Sequence, residues 1–159
     1  MDIDTVVVHP GKVPFLGGDL LEKIDEINKD SMIEIGEFAN DLGVTAVFEN
    51  MPNIDGFTYK KLKDLSEFLI ENDLSMCLDI GHANTMKYAA SDMYLPIVKH
   101  IHAHDNLADD DTHLALGDGN IDFKTIFDTY ESNNYDGVYV IEVNTKESIL
   151  KSLEYLKNL

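Results

Sequence analysis

Arginine is missing from this chain. All 12 basic residues are lysines, set against 30 aspartates and glutamates, which gives a formal charge of −18 over 159 residues. Affinity for DNA rests largely on lysine and arginine contacts to phosphates, and arginine supplies the bidentate clamp for phosphate and guanine. The composition therefore argues against a stand-alone nucleic-acid binder. Acidity by itself fits metal binding and a crowded or salty cytosol equally well.

Cysteine is nearly missing too. With Cys77 alone, no intramolecular disulfide can form, and a cytoplasmic setting is expected. Nothing close in sequence would lower the Cys77 pKa, so a small buried core residue is expected rather than a catalytic thiol. No apolar run approaches the roughly 20 residues of a membrane-spanning helix. The N-terminus lacks a basic region followed by an apolar core, so no signal peptide is expected. What remains, 44% apolar and 26% charged residues, suits an ordinary soluble globular protein. The length suffices for one domain with a sizeable core.

Short β-branched or apolar runs alternate with longer stretches of helical period. "TVVVH" (5–9), "TAVFEN" (45–50), "SMCLDI" (75–80), "IVKHIHAH" (97–104) and "GVYVIEV" (137–143) have strand length and composition. Between them, Asp19 to Glu22 reads as a capping box opening a helix. Leu20, Leu21, Ile24, Ile27, Met32, Ile35 and Phe38 form its apolar stripe, and Gly43 marks its end. Further helices are expected over 58–69 and 123–130, the latter capped by Asn120. A last helix is capped by Thr145, with Ile149, Leu150, Leu153 and Leu156 on one face.

Strand–helix alternation implies an α/β fold with a parallel sheet. The strand ends lie roughly 23 to 40 residues apart, against about 31 per unit in a TIM barrel of about 250 residues and eight units. Five units cannot close such a barrel. Either the sheet is open and of another kind, or this is an incomplete TIM barrel whose first three units are not part of the chain. Met1 stands almost directly before the first strand. The second reading is adopted, with residues 1–159 as a single partial (β/α)8 domain.

Its basis is what the strands end in. His9, Glu49, Asp79, His102 and Glu142 each close a strand, and in a βα barrel those ends converge on one mouth. His82, Asp111 and His113 fall on the loops above. Imidazole nitrogen and carboxylate oxygen together suit zinc, manganese, cobalt or iron. Half of the six histidines stand in "HIHAHDN" (100–106), and on a strand His100, His102 and His104 share one face. The fourth strand ends near His102 or His104, with His104 one layer nearer the mouth, in reach of substrate. His100 is read as a satisfied core histidine, and Asp105 as an acceptor of backbone hydrogen bonds.

The motifs "VVVHPG", "FENMPN", "LDIGHAN", "HAHDN", "DTHLALGDGNIDF" and "VIEV", in this order, resemble the xylose-isomerase-like barrel superfamily. That group holds sugar-phosphate isomerases and epimerases together with endonuclease IV. The resemblance implies that barrel strands four to eight are present. It also implies that Glu49, Asp79, His102 and Glu142 form the four-ligand site of the epimerases for a divalent metal such as zinc, manganese, cobalt or magnesium. His9, His82, Asp111 and His113 are similar to further ligands of the three-metal cluster of endonuclease IV. Thr112 stands where the family often has arginine.

Three functions follow. In a metal-dependent sugar or sugar-phosphate isomerase or epimerase, Glu49 and Glu142 exchange protons with an enediolate, and His104 and Asn50 contact the substrate. In an endonuclease-IV-like phosphodiesterase, clustered metals activate water. In a non-catalytic subunit, the chain self-associates or pairs with a complementary N-terminal fragment. Metal count separates the first two.

Overall fold

The computed structural model describes residues 3–13 and 19–159. Five strands, β1 (Thr5–Val8), β2 (Thr45–Glu49), β3 (Ser75–Asp79), β4 (Val98–Ala103) and β5 (Val138–Ile141), form one parallel sheet in the order β1-β2-β3-β4-β5. Helices α1 (Asp19–Asp41), α2 (Leu62–Glu71), α3 (Ile80–Thr85), α4 (Phe123–Ser132) and α5 (Lys146–Lys157) alternate with them. A parallel connection needs a crossover, and the helices supply it on the convex face of a curled half-barrel. Among the described residues, β1 and β5 are open edges.

Strand alternation sends Phe48, Met76, Leu78, Ile101 and Ala103 to the convex side. There they pack with Met32, Leu65, Leu69, Phe123, Ile126 and Tyr130 of the helices. Each such fully buried side chain contributes roughly 1.5–3 kcal/mol. The opposite side chains, Glu49, Cys77, Asp79, His100, His102 and His104, face the concave side, where a closed barrel has its interior. No helix of the described residues is long and apolar enough to cross a membrane.

Several local expectations need correction. The second helix starts at Leu62, not Thr58. The Thr58 hydroxyl instead donates to Gly11 O at 2.8 Å, and Tyr59 takes a left-handed φ of 52° that interrupts any helix there. Asp122, not Asn120, caps α4, accepting from Thr125 N at 3.1 Å. Asn120 is spent on Asn84. The stripe assigned to α1 is mostly exposed: the helix buries Asn28, Met32 and Ala39, while Leu20, Leu21, Ile27, Ile35 and Phe38 face outward. A polar residue, Asn28, holds the inward position because its Oδ1 accepts from Gly11 N. Likewise α5 buries Ser152 fully and exposes Ile149, Leu150 and Leu153. Thr145 does cap α5, accepting from Ser148 N. The capping box placed on Asp19 falls on a side chain outside the described residues.

Candidate metal centre

Every sequence-selected donor meets at the C-terminal end of the sheet. Glu49 and Asp79 are the last residues of β2 and β3, His102 lies one residue before the end of β4, and Glu142 follows β5. Register brings them level: Asp79 pairs with His102, and Glu49 with Cys77. One ligand atom from each of Glu49, Asp79, His102 and Glu142 lies within 4.8 Å of the others. His102 Nδ1 stands 3.0 Å from Glu142 Oε2, 3.5 Å from Glu49 Oε1 and 3.9 Å from Asp79 Oδ2. His9, from the β1 edge, adds Nε2 at 3.0 Å from Glu49 Oε2.

A second cluster adjoins the first. His82 sits on α3, a short helix not expected from the sequence, whose N-cap is Asp79: its Oδ1 accepts from His82 N at 2.7 Å. Asp111 and His113 ride the loop after β4, which folds back through an antiparallel bridge between Asp105 and Leu114. Asp105 itself accepts from the N–H groups of Asn106, Gly117, Gly119 and Ile121 and touches neither cluster of donors, as expected. His82 Nδ1–H donates to Asn50 O at 2.8 Å and His113 Nδ1–H to Glu142 O at 2.9 Å. These bonds orient both rings through Nδ1 and turn each Nε2 toward Asp111 Oδ2, at 3.3 and 3.4 Å, where it can carry a proton to the carboxylate or, deprotonated, offer a lone pair to a cation. His113 is held at a left-handed φ of 49°, the kind of strained backbone that persists where surroundings over-determine it.

The donor set fits a cation. Among the described residues, Glu49 Oε2, Asp79 Oδ2, His102 Nδ1, Asp111 Oδ1 and Glu142 Oε2 are buried atoms with no hydrogen-bond partner. Orphaned polar atoms of this kind are costly unless something pairs with them. Burial opposes charging of His102, yet the Glu142 and Glu49 carboxylates outweigh it and push its pKa up to about 10. His82 rises to about 9 because Asp79 and Asp111 overcome its burial. Asp111 raises His113 to about 9 against burial. In turn, Asp111 and Asp79 are lowered by the surrounding imidazoles despite burial, and Glu142 is lowered by His102. The carboxylates thus favour a positive charge among them, which protonated imidazoles or a cation could supply.

Two assigned substrate contacts are placed elsewhere. His104 is fully buried, stacked on His113 at 3.8 Å between ring centroids, with Nε2 3.2 Å from Asp79 Oδ1 and 3.4 Å from Asp111 Oδ1. Both its ring nitrogens are buried without a hydrogen-bond partner among the described residues, and one lies within 4.8 Å of donors from His82, Asp111 and His113, so it is a fourth possible donor of the second cluster. A Cβ on Gly81 would run into its ring, so the glycine makes room for it. Asn50 is also fully buried, its amide spent on the Asp79 main chain. His100, expected to be a satisfied core residue, is half-buried on the concave side and meets His102 edge-on at 5.2 Å. Cys77 is buried, as expected, directly beneath Glu49 and His102, and burial with the nearby carboxylates raises its pKa.

The cavity before the clusters, about 300 Å3, is lined by His9, Glu49, His82, Asp111, His113 and Glu142 on one side and by Lys12, Met51, Pro52, Ile54 and Phe57 on the other. Sequence reasoning missed this second wall, since only the pairing of two loops creates it.

Parallel βα units with carboxylates and imidazoles gathered at their strand ends define half of a βα barrel with a candidate metal centre at its mouth. The chain belongs to the xylose isomerase-like TIM barrel family, whose model matches residues 1–159. It is 37% identical to the uncharacterized protein MJ1311 of Methanocaldococcus jannaschii over 166 residues, covering 99% of this chain and 56% of that protein. It is 25% identical to the inosose dehydratase of Clostridium beijerinckii, over 79% of this chain and 49% of that enzyme. The chain thus spans about half the length of the curated relatives it matches. Among solved structures it resembles a D-tagatose 3-epimerase-like protein, with a TM-score of 0.85, 36% identity and coverage of 98% of this chain and 61% of that one. The IolI protein with a bound zinc atom shares the fold, at a TM-score of 0.77 and 16% identity, over 98% of this chain and 62% of that one.

Proposed function

We propose that the chain carries the catalytic half of a metal-dependent sugar isomerase or epimerase. The observation behind this reading is the group of four converging donors, Glu49, Asp79, His102 and Glu142, with buried atoms left unpaired. Similarity to a D-tagatose 3-epimerase-like protein supports the substrate class, and zinc in IolI supports the kind of cofactor. Zinc, manganese, cobalt or magnesium bound here would polarise a sugar carbonyl and acidify the neighbouring C–H. Glu49 and Glu142 come from β2 and the far edge at β5, so they approach such a carbon from different sides. Glu142, held ionised by His102, is ready to accept a proton. Proton removal by one carboxylate and return by the other through an enediolate inverts a carbon or moves a carbonyl. Asp79 and His102 hold the cation. A single buried cysteine suits the cytoplasmic setting assumed here.

A second reading rests on the His82–Asp111–His113 group, whose oriented rings would serve additional ions. With His9 as a further donor, it favours an endonuclease-IV-like phosphodiesterase. The chain's lack of arginine weighs against that function. In a third, the open edges at β1 and β5 await a second copy or a complementary N-terminal segment.

The deciding experiment is elemental analysis of chelator-free protein, followed by proton-exchange NMR with D-fructose and D-tagatose in D2O. About one ion per chain and solvent deuterium entering the sugar support the isomerase reading. Two or three ions, with cleavage of abasic-site DNA, support the phosphodiesterase. A folded chain that binds no metal overturns both.

A further inference from the structure

The cavity wall facing the metal donors is built by two stitched loops. Lys12, after β1, and Phe57, after β2, form an antiparallel bridge. Val13 N–H donates to Gly56 O at 2.8 Å, and the Thr58 hydroxyl donates to Gly11 O at 2.8 Å. The Lys12 ammonium is thereby set 4.3 Å from the centroid of the Phe57 ring. Of the side chains lining the cavity, Lys12 alone is a permanent cation. The lysine ion pairs seen among the described residues engage Lys29, Lys63, Lys124 and Lys151, and Lys12 is not among them.

We propose that Lys12 is a specificity residue that selects a monosaccharide bearing an anionic group, a phosphate ester or a carboxylate, at the end remote from the metal donors. This rests on the isomerase or epimerase reading. A cavity of about 300 Å3 lies at the small end of ligand pockets, which run from about 300 to 1,000 Å3, and so suits a single sugar unit. Phe57 and Ile54 offer an apolar face to the carbon skeleton. An ammonium already oriented over an aromatic ring loses little freedom when an anion arrives. Its charge-assisted hydrogen bond strengthens as the ligand displaces water. A neutral sugar gives the same lysine only a weaker hydrogen bond. In a chain of net charge −18, an anionic ligand is repelled overall, so a local cation is what would admit one.

The test uses the full chain loaded with manganese. Calorimetry compares D-fructose, D-fructose 6-phosphate and D-glucuronate as probes, with inorganic phosphate as a control for anions landing on the metal. The wild-type chain should prefer one anionic sugar over D-fructose by about tenfold or more, equivalent to about 1.4 kcal/mol. That ratio should fall toward one in Lys12→Met, invert in Lys12→Glu and recover in Lys12→Arg. Preference for the phosphate ester or for the uronate identifies the anion. An equal affinity for all three sugars, or a preference that survives Lys12→Met, overturns this role while leaving the isomerase reading intact. If no sugar binds although manganese does, both fall together.

Discussion

The side-chain amide of Asn50 and the main chain of Asp79 exchange two hydrogen bonds, each 2.9 Å long. The amide thus continues the pairing of β2 with β3 one step past the last strand residue. It aims the Asp79 carboxylate, while Asn50 O orients His82. Asn50→Ala should weaken divalent-metal binding by about 10- to 100-fold, the usual cost of losing an outer-shell partner. It should also destabilise the chain by about 1–3 kcal/mol for buried backbone groups left unpaired. Competition with a chelating dye and urea unfolding read the two effects, and unchanged metal affinity would remove this role.

Proton release separates the clusters. His102 titrates near 10, and His82 and His113 near 9, so all three are protonated in the metal-free chain at pH 7. A metal ligand must be deprotonated. An ion entering the Glu49–Asp79–His102–Glu142 group should expel about one proton, and one entering between His82, Asp111 and His113 about two. Calorimetry in buffers of different ionisation enthalpy counts them. A count near zero would mean that neither set of ion pairs exists.

The same shifts set the pH profile of the metal-free chain. The three histidines are raised from 6.5, so their contribution is complete below that pH and is lost as pH climbs through about 9 to 10. Asp79, Asp111 and Glu142 are lowered, so theirs is complete above the ordinary carboxylate range, about 4, and is lost in acid. Urea midpoints with chelator present should be highest between about pH 5 and 6.5 and fall by pH 9.5. With saturating metal the alkaline decline should vanish. A flat midpoint from pH 6 to 10 with chelator present would contradict the assignment.

Gly81→Ala places a methyl group against the His104 ring. The ring is fully buried and braced by Asp79, Asp111 and His113, so it cannot move without disturbing donors from both clusters. Overpacking of this kind costs about 1–3 kcal/mol. Thermal unfolding should report that loss, and competition with a chelating dye the accompanying drop in metal affinity. Full metal affinity in the variant would show that His104 is coupled to neither cluster.

The parallel sheet was legible because five β-branched or apolar runs each close on a residue able to ligate a metal, and those five converge with the three donors expected on the loops. Helix faces were less legible. The inward side of α1 is marked by Asn28 and Met32, and a polar residue there hides the period. Leu20, Ile27 and Phe38 on α1 and Ile149, Leu150 and Leu153 on α5 are left outside, so hydrophobicity alone misassigned these helix faces. Sequence reasoning reads Asn50 as a substrate contact and not as the partner of Asp79, and it does not read Gly81 or the Lys12–Phe57 wall at all. Each depends on loops from different βα units coming together, and no local spacing records that.

Strand order in space repeats strand order along the chain, with a consequence for synthesis. A nascent chain can add each βα unit to the edge just completed, without waiting for a distant partner. The metal centre follows a different schedule. His9, Glu49, Asp79 and His102 are in hand earlier, but Glu142 arrives only with β5, which pairs with β4. Glu142 is thus the last of the four donors of the Glu49–Asp79–His102–Glu142 group to be made, and a chain stalled before Gly137 would hold three of them and lack the fourth.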